Sequence, residues 1–173
     1  MDANWQPFER EYRSLGVAPD FNIDLTLRFD NTLPESLLAL WISRCRAGRL
    51  PARRDFDMDS LRPYLGWLCM QRVTQDRTDM VLALVGTNIV QNVGRDVTGK
   101  TLREVLPAGV RNIAMQLLRY PRPLRLWGPA TWRKREFLQH EALMLPLAHD
   151  GIEIDQVMVL AMFYRPRNQS QRT

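Results

Sequence analysis

The sequence predicts an α+β domain built on an antiparallel sheet. Short apolar runs and short amphipathic segments share one stretch of chain, with turn signals between them, which favours strands and helices in a single domain. Two strand-like runs come first and three come last, with a group of short helices between them. The final run, VMVLAMFY at Val157–Tyr164, is apolar throughout, as expected for a central strand buried on both faces.

The composition is that of a globular protein. The chain has 173 residues, of which 45% are hydrophobic and 25% charged, and this length suits one domain with an extra arm. No apolar run approaches the roughly 18 residues of a membrane span, and the first residues lack the apolar core of a secretory signal. Cys45 and Cys69 lie inside apolar patterns and are expected to be buried, reduced thiols. These features predict a cytoplasmic location.

The net charge of +5 is distributed unevenly. Residues 1–31 carry six acids and three bases, whereas residues 108–136 carry seven bases and one acid. Such an asymmetry favours an acidic partner, anionic lipid headgroups or nucleic acid. Nucleic-acid binding through the Arg-rich region 111–135 is therefore one hypothesis.

Residues 1–31 are predicted to form an N-terminal arm. Apolar side chains recur there every three or four residues, which predicts a short helix from Trp5 to Leu15. Ile23–Phe29 then alternates apolar and polar residues as a strand does. We expect the arm to pack on the domain at 32–165 or on a second copy, and the polar segment 166–173 to be a disordered basic tail.

A helix is predicted from the capping box Thr32-Leu33-Pro34-Glu35, with an apolar stripe that runs on to a stop at Gly48. A run of bases with no acid between them follows its second half: Arg44, Arg46, Arg49, Arg53 and Arg54. Two interpretations stay open. The run is a solvated helix end, where cations suit the helix dipole, or it binds an anion or the acidic face of a partner.

The next segment predicts a short helix and a hairpin. Asp55–Tyr64 has aspartates at its start, which suits a helix N-terminus. Their alternate spacing is that of part of a calcium loop, but the required glycine and the twelfth-position glutamate are missing, so no calcium site is expected. Gly66–Val73 and Met80–Val85 are strand-like, and the polar turn at Gln75–Asp79 joins them into a hairpin.

Three short helices and three strands complete the prediction. Thr87 is predicted to cap a helix that Gly94 ends, and Thr101-Leu102-Arg103-Glu104 is a second capping box. A longer apolar face between Val110 and Leu118 stops at the following prolines. The predicted strands are then Leu124–Trp132, Phe137–Leu147 and Ile152–Tyr164, the last two joined by a turn at His149-Asp150-Gly151.

Three stretches resemble the PAS family, and more specifically a bacterial group of single-domain PAS-like proteins. They are LPARRDFD (Leu50–Asp57), LVGTNIVQNVGRDVTGKTL (Leu84–Leu102) and LMLPLAHDGIEIDQVM (Leu143–Met158). The resemblance covers about residues 34–165. It implies a five-stranded antiparallel sheet with helices packed on one face, a pocket between them for a small molecule, and frequent dimerisation.

The resemblance also implies a role in sensing ligands, light or redox state, or in docking another protein. No kinase, cyclase or DNA-binding segment follows in the sequence, so we expect output through a separate signalling protein or through self-association. The candidate residues for a ligand pocket are Trp67, Met70, Asn88, Asn92, Arg95, Trp127 and Trp132. Core packing and helix capping are the alternative explanations for these residues.

Two cofactors of the family are not expected. Photoactive flavin versions need a cysteine in the helix after the second strand, and Thr87–Thr98 has none. Haem versions usually use a histidine of the helical group, whereas His140 and His149 lie in the late strands and their turn. His140 is expected to be a surface or half-buried residue. The cofactor, if the pocket holds one, is left unknown.

No catalytic motif accompanies this pattern. GxSxG, HExxH, CxxC and a phosphate-cradling glycine loop are all absent from the sequence. The sequence therefore predicts a non-enzymatic sensory regulator that binds a small ligand, a protein partner or both. The alternative is an interaction or dimerisation module without a ligand, and nucleic-acid binding is the third hypothesis.

Overall fold

The structure is a computed structural model that describes residues 22–29, 31–129 and 138–165. These residues form one six-stranded antiparallel sheet. Its strands are β1 (Asn22–Asp24), β2 (Leu68–Val73), β3 (Met80–Val85), β4 (Leu124–Pro129), β5 (Gln139–Leu147) and β6 (Gln156–Tyr164). They lie side by side in the order β1-β4-β5-β6-β2-β3. The long strand β6, whose residues Val157–Tyr164 form the apolar run, is thus central, as its sequence predicts.

Helices connect these strands. The α-helices are α1 (Thr32–Arg44), α2 (Met58–Leu61), α3 (Thr87–Val93), α4 (Leu102–Val105) and α5 (Ala108–Gln116). Two 3-10 helices, Arg53–Asp55 and Arg62–Trp67, flank α2. Within the described ranges, no helix has the length and apolar character needed to cross a bilayer.

The sheet buries apolar side chains on both faces. Because successive strand residues point to opposite sides, Ala142 and Met144 of β5 join one apolar cluster while Leu143 and Leu145 join another. The first cluster contains residues of α3, α4 and α5, and we call that side the α3–α5 face. The second contains Leu37 and Trp41 of α1, and we call that side the α1 face.

The predicted α+β antiparallel fold is confirmed, with two differences of detail. A sixth strand, β1, comes from the predicted arm and pairs with β4, placing Ile23 opposite Leu126. In addition, α1 lies on the face opposite α3–α5, together with α2, and the indole Nε1 of Trp41 donates to the carbonyl oxygen of Pro146 over 3.0 Å. A central strand that is apolar on both sides needs cover on both sides, and α1 supplies the second cover.

Two of the predicted helix starts are wrong. The N-cap of α1 is Asn31, not Thr32, and it makes no side-chain capping bond. Its amide Nδ2 instead donates to Glu141 Oε2 over 3.0 Å, so a contact with the sheet takes the place of the capping bond. Likewise Gly86, not Thr87, is the N-cap of α3.

The end of α1 also differs from the prediction, since the helix ends at Arg44 and not at Gly48. The start of α4 and the end of α3 agree with the sequence. At the start of α4 the backbone N–H of Glu104 donates to Thr101 Oγ1 over 3.4 Å. The N–H of Thr101 in turn donates to Glu104 Oε2 over 2.8 Å, which completes the predicted capping box. Gly94 ends α3 with φ +77°, a left-handed conformation that glycine adopts without strain.

Two strands start later than predicted, because the backbone groups before them are used in other local hydrogen bonds. Arg62–Trp67 forms a 3-10 helix, so β2 begins at Leu68 rather than Gly66. The last strand begins at Gln156 rather than Ile152, because Asp150 Oδ1 accepts the N–H groups of Ile152 and Glu153, both over 2.9 Å. The predicted helix at 5–15, Trp132 and the tail at 166–173 lie outside the described residues.

Candidate functional site

A cavity of about 440 Å³ lies between the α3–α5 face of the sheet and the helices that cover it. Its floor is made of alternate strand residues such as Cys69 of β2, Ala142 of β5 and Val159 of β6. Ile89 of α3 and Val110 of α5 line the helical side. Pockets of a few hundred Å³ with mostly apolar walls commonly hold small molecules.

Gln71 is the polar side chain buried most deeply in this cavity. It is 5% exposed and lies two residues after Cys69 on β2, so both side chains point to the α3–α5 face. Its Oε1 is enclosed and receives no hydrogen bond from any described residue. An unpaired buried amide costs about 1–3 kcal/mol. The atom is therefore suited to accept a hydrogen bond from a molecule that enters the cavity.

The two thiols are free, and the one in the cavity is protonated at neutral pH. Burial raises the pKa of Cys69 to about 12, and a hydrogen bond from Gln71 offsets only part of that rise. Cys69 is thus an apolar wall residue rather than a nucleophile. Cys45 is half-buried near the end of α1, and its Sγ lies 3.5 Å from the carbonyl oxygen of Trp41.

His140 also lines the cavity, at the start of β5. The residue is half-buried, as the sequence predicts, and its ring lies 5.0 Å from the ring of Phe163 on β6. Burial lowers the pKa of His140 to about 4, so the imidazole is neutral at physiological pH. Its ring is a neutral polar group at this side of the cavity.

Of the described pocket candidates, Arg95 lines this cavity. It is exposed and follows Gly94 directly, so it stands where α3 ends. Trp67 and Met70 belong to the apolar cluster of the α1 face instead. Met70 lies between Cys69 and Gln71 in β2, so its side chain points to the opposite side of the sheet.

The remaining candidates lie away from the cavity. Asn88 covers the backbone of Gly66, where an added Cβ would stand 2.7 Å from Asn88 Nδ2. Asn92 Nδ2 donates to the carbonyl oxygen of Asn88 one helical turn earlier, over 2.8 Å. Trp127 is 37% exposed and its ring lies 5.7 Å from the guanidinium carbon of Arg125.

Four of the five predicted anion-binding arginines line a second concavity of about 380 Å³. We call it the arginine groove, and its basic residues are Arg44, Arg46, Arg49 and Arg54. The turn from Ala148 to Gly151 forms its opposite wall. Arg53 is not part of this lining, because its Nη1 donates to the carbonyl oxygen of Phe56 over 2.7 Å.

A buried ionic cluster on the α1 face has no counterpart in the sequence analysis. Arg125 donates through Nε and Nη2 to Glu141 Oε1, over 2.7 and 2.6 Å, and Glu141 is fully buried. Arg125 Nη1 lies 3.3 Å from Asp24 Oδ2, and Asn31 donates to the second oxygen of Glu141. The cluster ties β1 and the start of α1 to the sheet.

No metal centre is present among the described residues, since no three potential ligands gather at one point. The three alternate aspartates near α2 each serve a separate local partner. Asp55 accepts the N–H of Ala52, Asp57 caps α2 by accepting the N–H of Ser60, and Asp59 pairs with Arg62.

The family comparison agrees with this geometry. The family model described as PAS domain matches residues 31–161. The chain belongs to the PAS domain family. No curated protein matches the chain. The match includes every residue of the cavity lining except Phe163, and its start coincides with Asn31, the residue that links α1 to Glu141.

Membership of the PAS domain family indicates a sensory, signalling or interaction module. PAS domains are generally non-catalytic and often mediate interactions or dimerisation. In this PAS domain the cavity and the arginine groove lie on different parts of the fold. The cavity is enclosed by α3–α5, whereas the groove is formed by the end of α1 and the β5–β6 turn.

Proposed function

We propose that this PAS domain is a sensor that binds a small, largely apolar molecule in the cavity, with the amide of Gln71 as its polar anchor. The supporting observation is the enclosed Oε1 of Gln71, which lacks a hydrogen bond from the described residues inside an otherwise apolar wall. A ligand with one donor placed against this atom relieves the cost of the unpaired amide. Its remaining surface packs on residues such as Ile89, Leu126 and Val159.

The elements around the cavity give such a ligand a route to influence the surface. Val93 and Val105, the last residues of the short helices α3 and α4, line the cavity, as does the exposed Arg95 just after α3. A ligand shifts an equilibrium between two arrangements of these helices only by its different affinity for each. We infer that output passes through these helices to a separate signalling partner.

Thermal-shift screening of metabolites, with native mass spectrometry of the freshly purified chain, tests this function. We expect at least one small apolar molecule with a polar end to co-purify or to raise the melting temperature. In Gln71→Leu, the ligand-induced shift is expected to vanish, while the ligand-free protein is as stable as wild type or more so, because a buried unpaired amide is removed.

Gln75→Leu is the matched control, since Gln75 is exposed in the β2–β3 turn and the chemical change is the same. The control is expected to keep the full ligand response. A screen without any hit, or a Gln71→Leu variant that binds the hit as well as Gln75→Leu does, argues against the proposed function.

We also propose self-association through the outer side of β1 or the N-terminal arm. β1 is one of the two edge strands of the sheet that the described residues form, and exposed edges with nearby apolar side chains favour pairing with another chain. Trp127, opposite Asn22 in the β1–β4 ladder, is such a side chain. Light scattering of the full chain and of residues 32–173 tests this role, and equal masses per particle at all concentrations speak against both the arm and β1.

Nucleic-acid binding through region 111–135 receives less support from the described part of that region. Arg125 is buried against Glu141, and Arg122 is half-buried with its Nη2 donating to the carbonyl oxygen of Leu25 over 3.1 Å. Arg111 Nη2 lies 3.5 Å from Asn112 Oδ1. A gel shift at low salt, where phosphate contacts are strongest, decides the hypothesis.

A further inference from the structure

The arginine groove is built from two segments about a hundred residues apart. Arg46 and Arg49 form a tight turn after α1, and Leu50 donates its N–H to the carbonyl oxygen of Gly151 over 2.9 Å. Ala148 donates its N–H to the carbonyl oxygen of Pro51 over 3.0 Å. These backbone bonds hold the two walls together, so the groove is a formed concavity rather than a patch of loose side chains.

The positive charge of the groove is not neutralised by ion pairs inside the fold. Among the described residues, none of its four arginines forms an ion pair with a carboxylate. Asp55 and Asp150 also line the groove, but their carboxylates accept backbone N–H groups of Ala52, Ile152 and Glu153. Four arginines against two aspartates leave the lining with a net positive charge.

Parts of three of these arginine side chains have defined surroundings. Arg54 donates through Nη1 to His149 Nδ1 over 3.0 Å and through Nη2 to the His149 carbonyl oxygen over 3.2 Å. The alkyl part of Arg49 packs against Gly151, where an added Cβ would lie 3.1 Å from it. Arg44 Nε is enclosed and makes no hydrogen bond with any described residue. The donors of Arg54 are fixed by these bonds and lose little freedom when an anion binds, while the unpaired Nε of Arg44 gains a partner.

A helix end does not explain this arrangement. The C-terminal dipole of α1 favours a cation in its last turn, and Arg44 occupies that turn. The effect fades beyond the last turn, yet Arg46, Arg49 and Arg54 lie after the helix and converge on the same concavity. Guanidinium groups present paired donors that match phosphate oxygens.

We propose that the arginine groove binds a small molecule carrying two or more phosphate groups. The recessed shape, about 380 Å³ between two walls, fits a small molecule better than a flat protein surface. Several guanidinium groups suit several phosphates, since each fork binds two oxygens. The site does not depend on the proposed function of the cavity, which lies between the sheet and α3–α5.

Isothermal titration of the full chain with inorganic pyrophosphate, and separately with orthophosphate, tests the proposal. We expect pyrophosphate to bind more tightly than orthophosphate, and its affinity to fall as salt is raised. Arg46→Gln combined with Arg49→Gln is expected to weaken pyrophosphate binding by about tenfold or more. Both side chains are exposed, so the folded state tolerates the change.

Arg72→Gln is the matched control, because Arg72 is exposed at the end of β2, outside the groove. It is expected to leave pyrophosphate binding unchanged. Circular dichroism and the melting temperature verify that each variant is folded, and Arg46→Glu is the second variant for the same site. No pyrophosphate binding at low salt, equal losses in Arg72→Gln and the groove variants, or binding of a polyglutamate peptide in place of pyrophosphate overturns the proposal.

Discussion

Arg125 and Glu141 form a buried, doubly hydrogen-bonded ion pair on the α1 face of the sheet. Arg125 Nε and Nη2 lie 2.7 and 2.6 Å from Glu141 Oε1, and Glu141 has no exposed surface. The pair connects β4 to β5, while Asp24 and Asn31 add contacts from β1 and the start of α1. The segment before α1 is therefore joined to the domain by charge as well as by strand pairing.

Breaking this pair on one side is expected to destabilise the fold strongly. Arg125→Met leaves the carboxylate of Glu141 buried without its main partner, and such changes cost about 3–5 kcal/mol. The double variant Arg125→Met/Glu141→Leu is expected to recover much of the loss, since no uncompensated charge remains buried. Urea unfolding gives the free energies.

The exposed pair of Arg62 and Asp59 serves as the control. Their side chains are 77% and 85% exposed, although the distance of 2.6 Å is as short as in the buried pair. Arg62→Met is expected to change stability by less than about 1 kcal/mol. A similar cost for Arg62→Met and Arg125→Met would show that burial adds nothing to the role of Arg125.

Because of His140, the free energy of unfolding is expected to fall as the pH is lowered from about 6.5 to about 4. Burial holds its pKa near 4 in the folded chain, below the ordinary value of 6.5. Within that window the unfolded state takes up a proton and the folded state does not, so the free energy of unfolding falls as pH falls. The difference between these two pKa values corresponds to a loss of at most about 3 kcal/mol in the free energy of unfolding.

His140→Gln is expected to remove this part of the pH dependence. The other titratable side chains that line the cavity are Arg95 and Cys69, and Cys69 is protonated throughout the window. Carboxylates with lowered pKa values, such as Asp24 and Asp96, lose their contribution at lower pH in both proteins. Urea unfolding of the wild type and of His140→Gln at several pH values compares how their free energies of unfolding depend on pH. An unchanged slope between pH 6.5 and 4 in His140→Gln rules out His140 as its source.

Gly86 is expected to resist replacement although its φ of −64° suits any residue. A Cβ at this position would collide with the carbonyl oxygens of Leu65 and Gly66, which are backbone atoms. Gly86→Ala is therefore expected to cost about 2–3 kcal/mol.

Gly48→Ala is the comparison, because Gly48 has φ +77° and nothing within 4 Å of its added Cβ. Backbone strain alone is expected to cost about 1 kcal/mol there. Thermal unfolding of the two variants separates the two causes, and a larger loss in Gly48→Ala would contradict the contact described at Gly86.

The sequence predicts elements well where the signal is local. The apolar run of β6, the capping box at Thr101 and the left-handed end of α3 at Gly94 depend on neighbouring residues, and the structure contains all three. β1 is only three residues long, and its pairing with β4 depends on residues a hundred positions away. The capping box predicted at Thr32 is wrong for the same reason, since Asn31 is the N-cap and its amide bonds to Glu141.

The cavity was harder to predict than the fold. The sequence favours large aromatic residues as pocket candidates, but Trp67 lies with the apolar cluster of the α1 face. Gln71 is not among the predicted pocket residues, although a single glutamine in the strand LCMQRV indicates a polar cavity residue once the face of each strand residue is known. Strand alternation places Gln71 with Cys69, but only the fold shows that α3–α5 leave space above them. The arginine run was found because its members are close in sequence, whereas its opposite wall at 148–151 is distant.

The central claim, that the cavity accepts a small apolar molecule, is tested most directly with the uncharged fluorescent probe N-phenyl-1-naphthylamine. Its rings suit the apolar walls, and its N–H can donate to Gln71 Oε1. We predict saturable fluorescence enhancement with the native chain, and loss of that enhancement in Ala161→Phe, which fills the cavity from β6. Ala39→Phe, on the exposed side of α1, is expected to retain it. Absence of saturable binding, or equal binding by wild type and a folded Ala161→Phe, would contradict the claim.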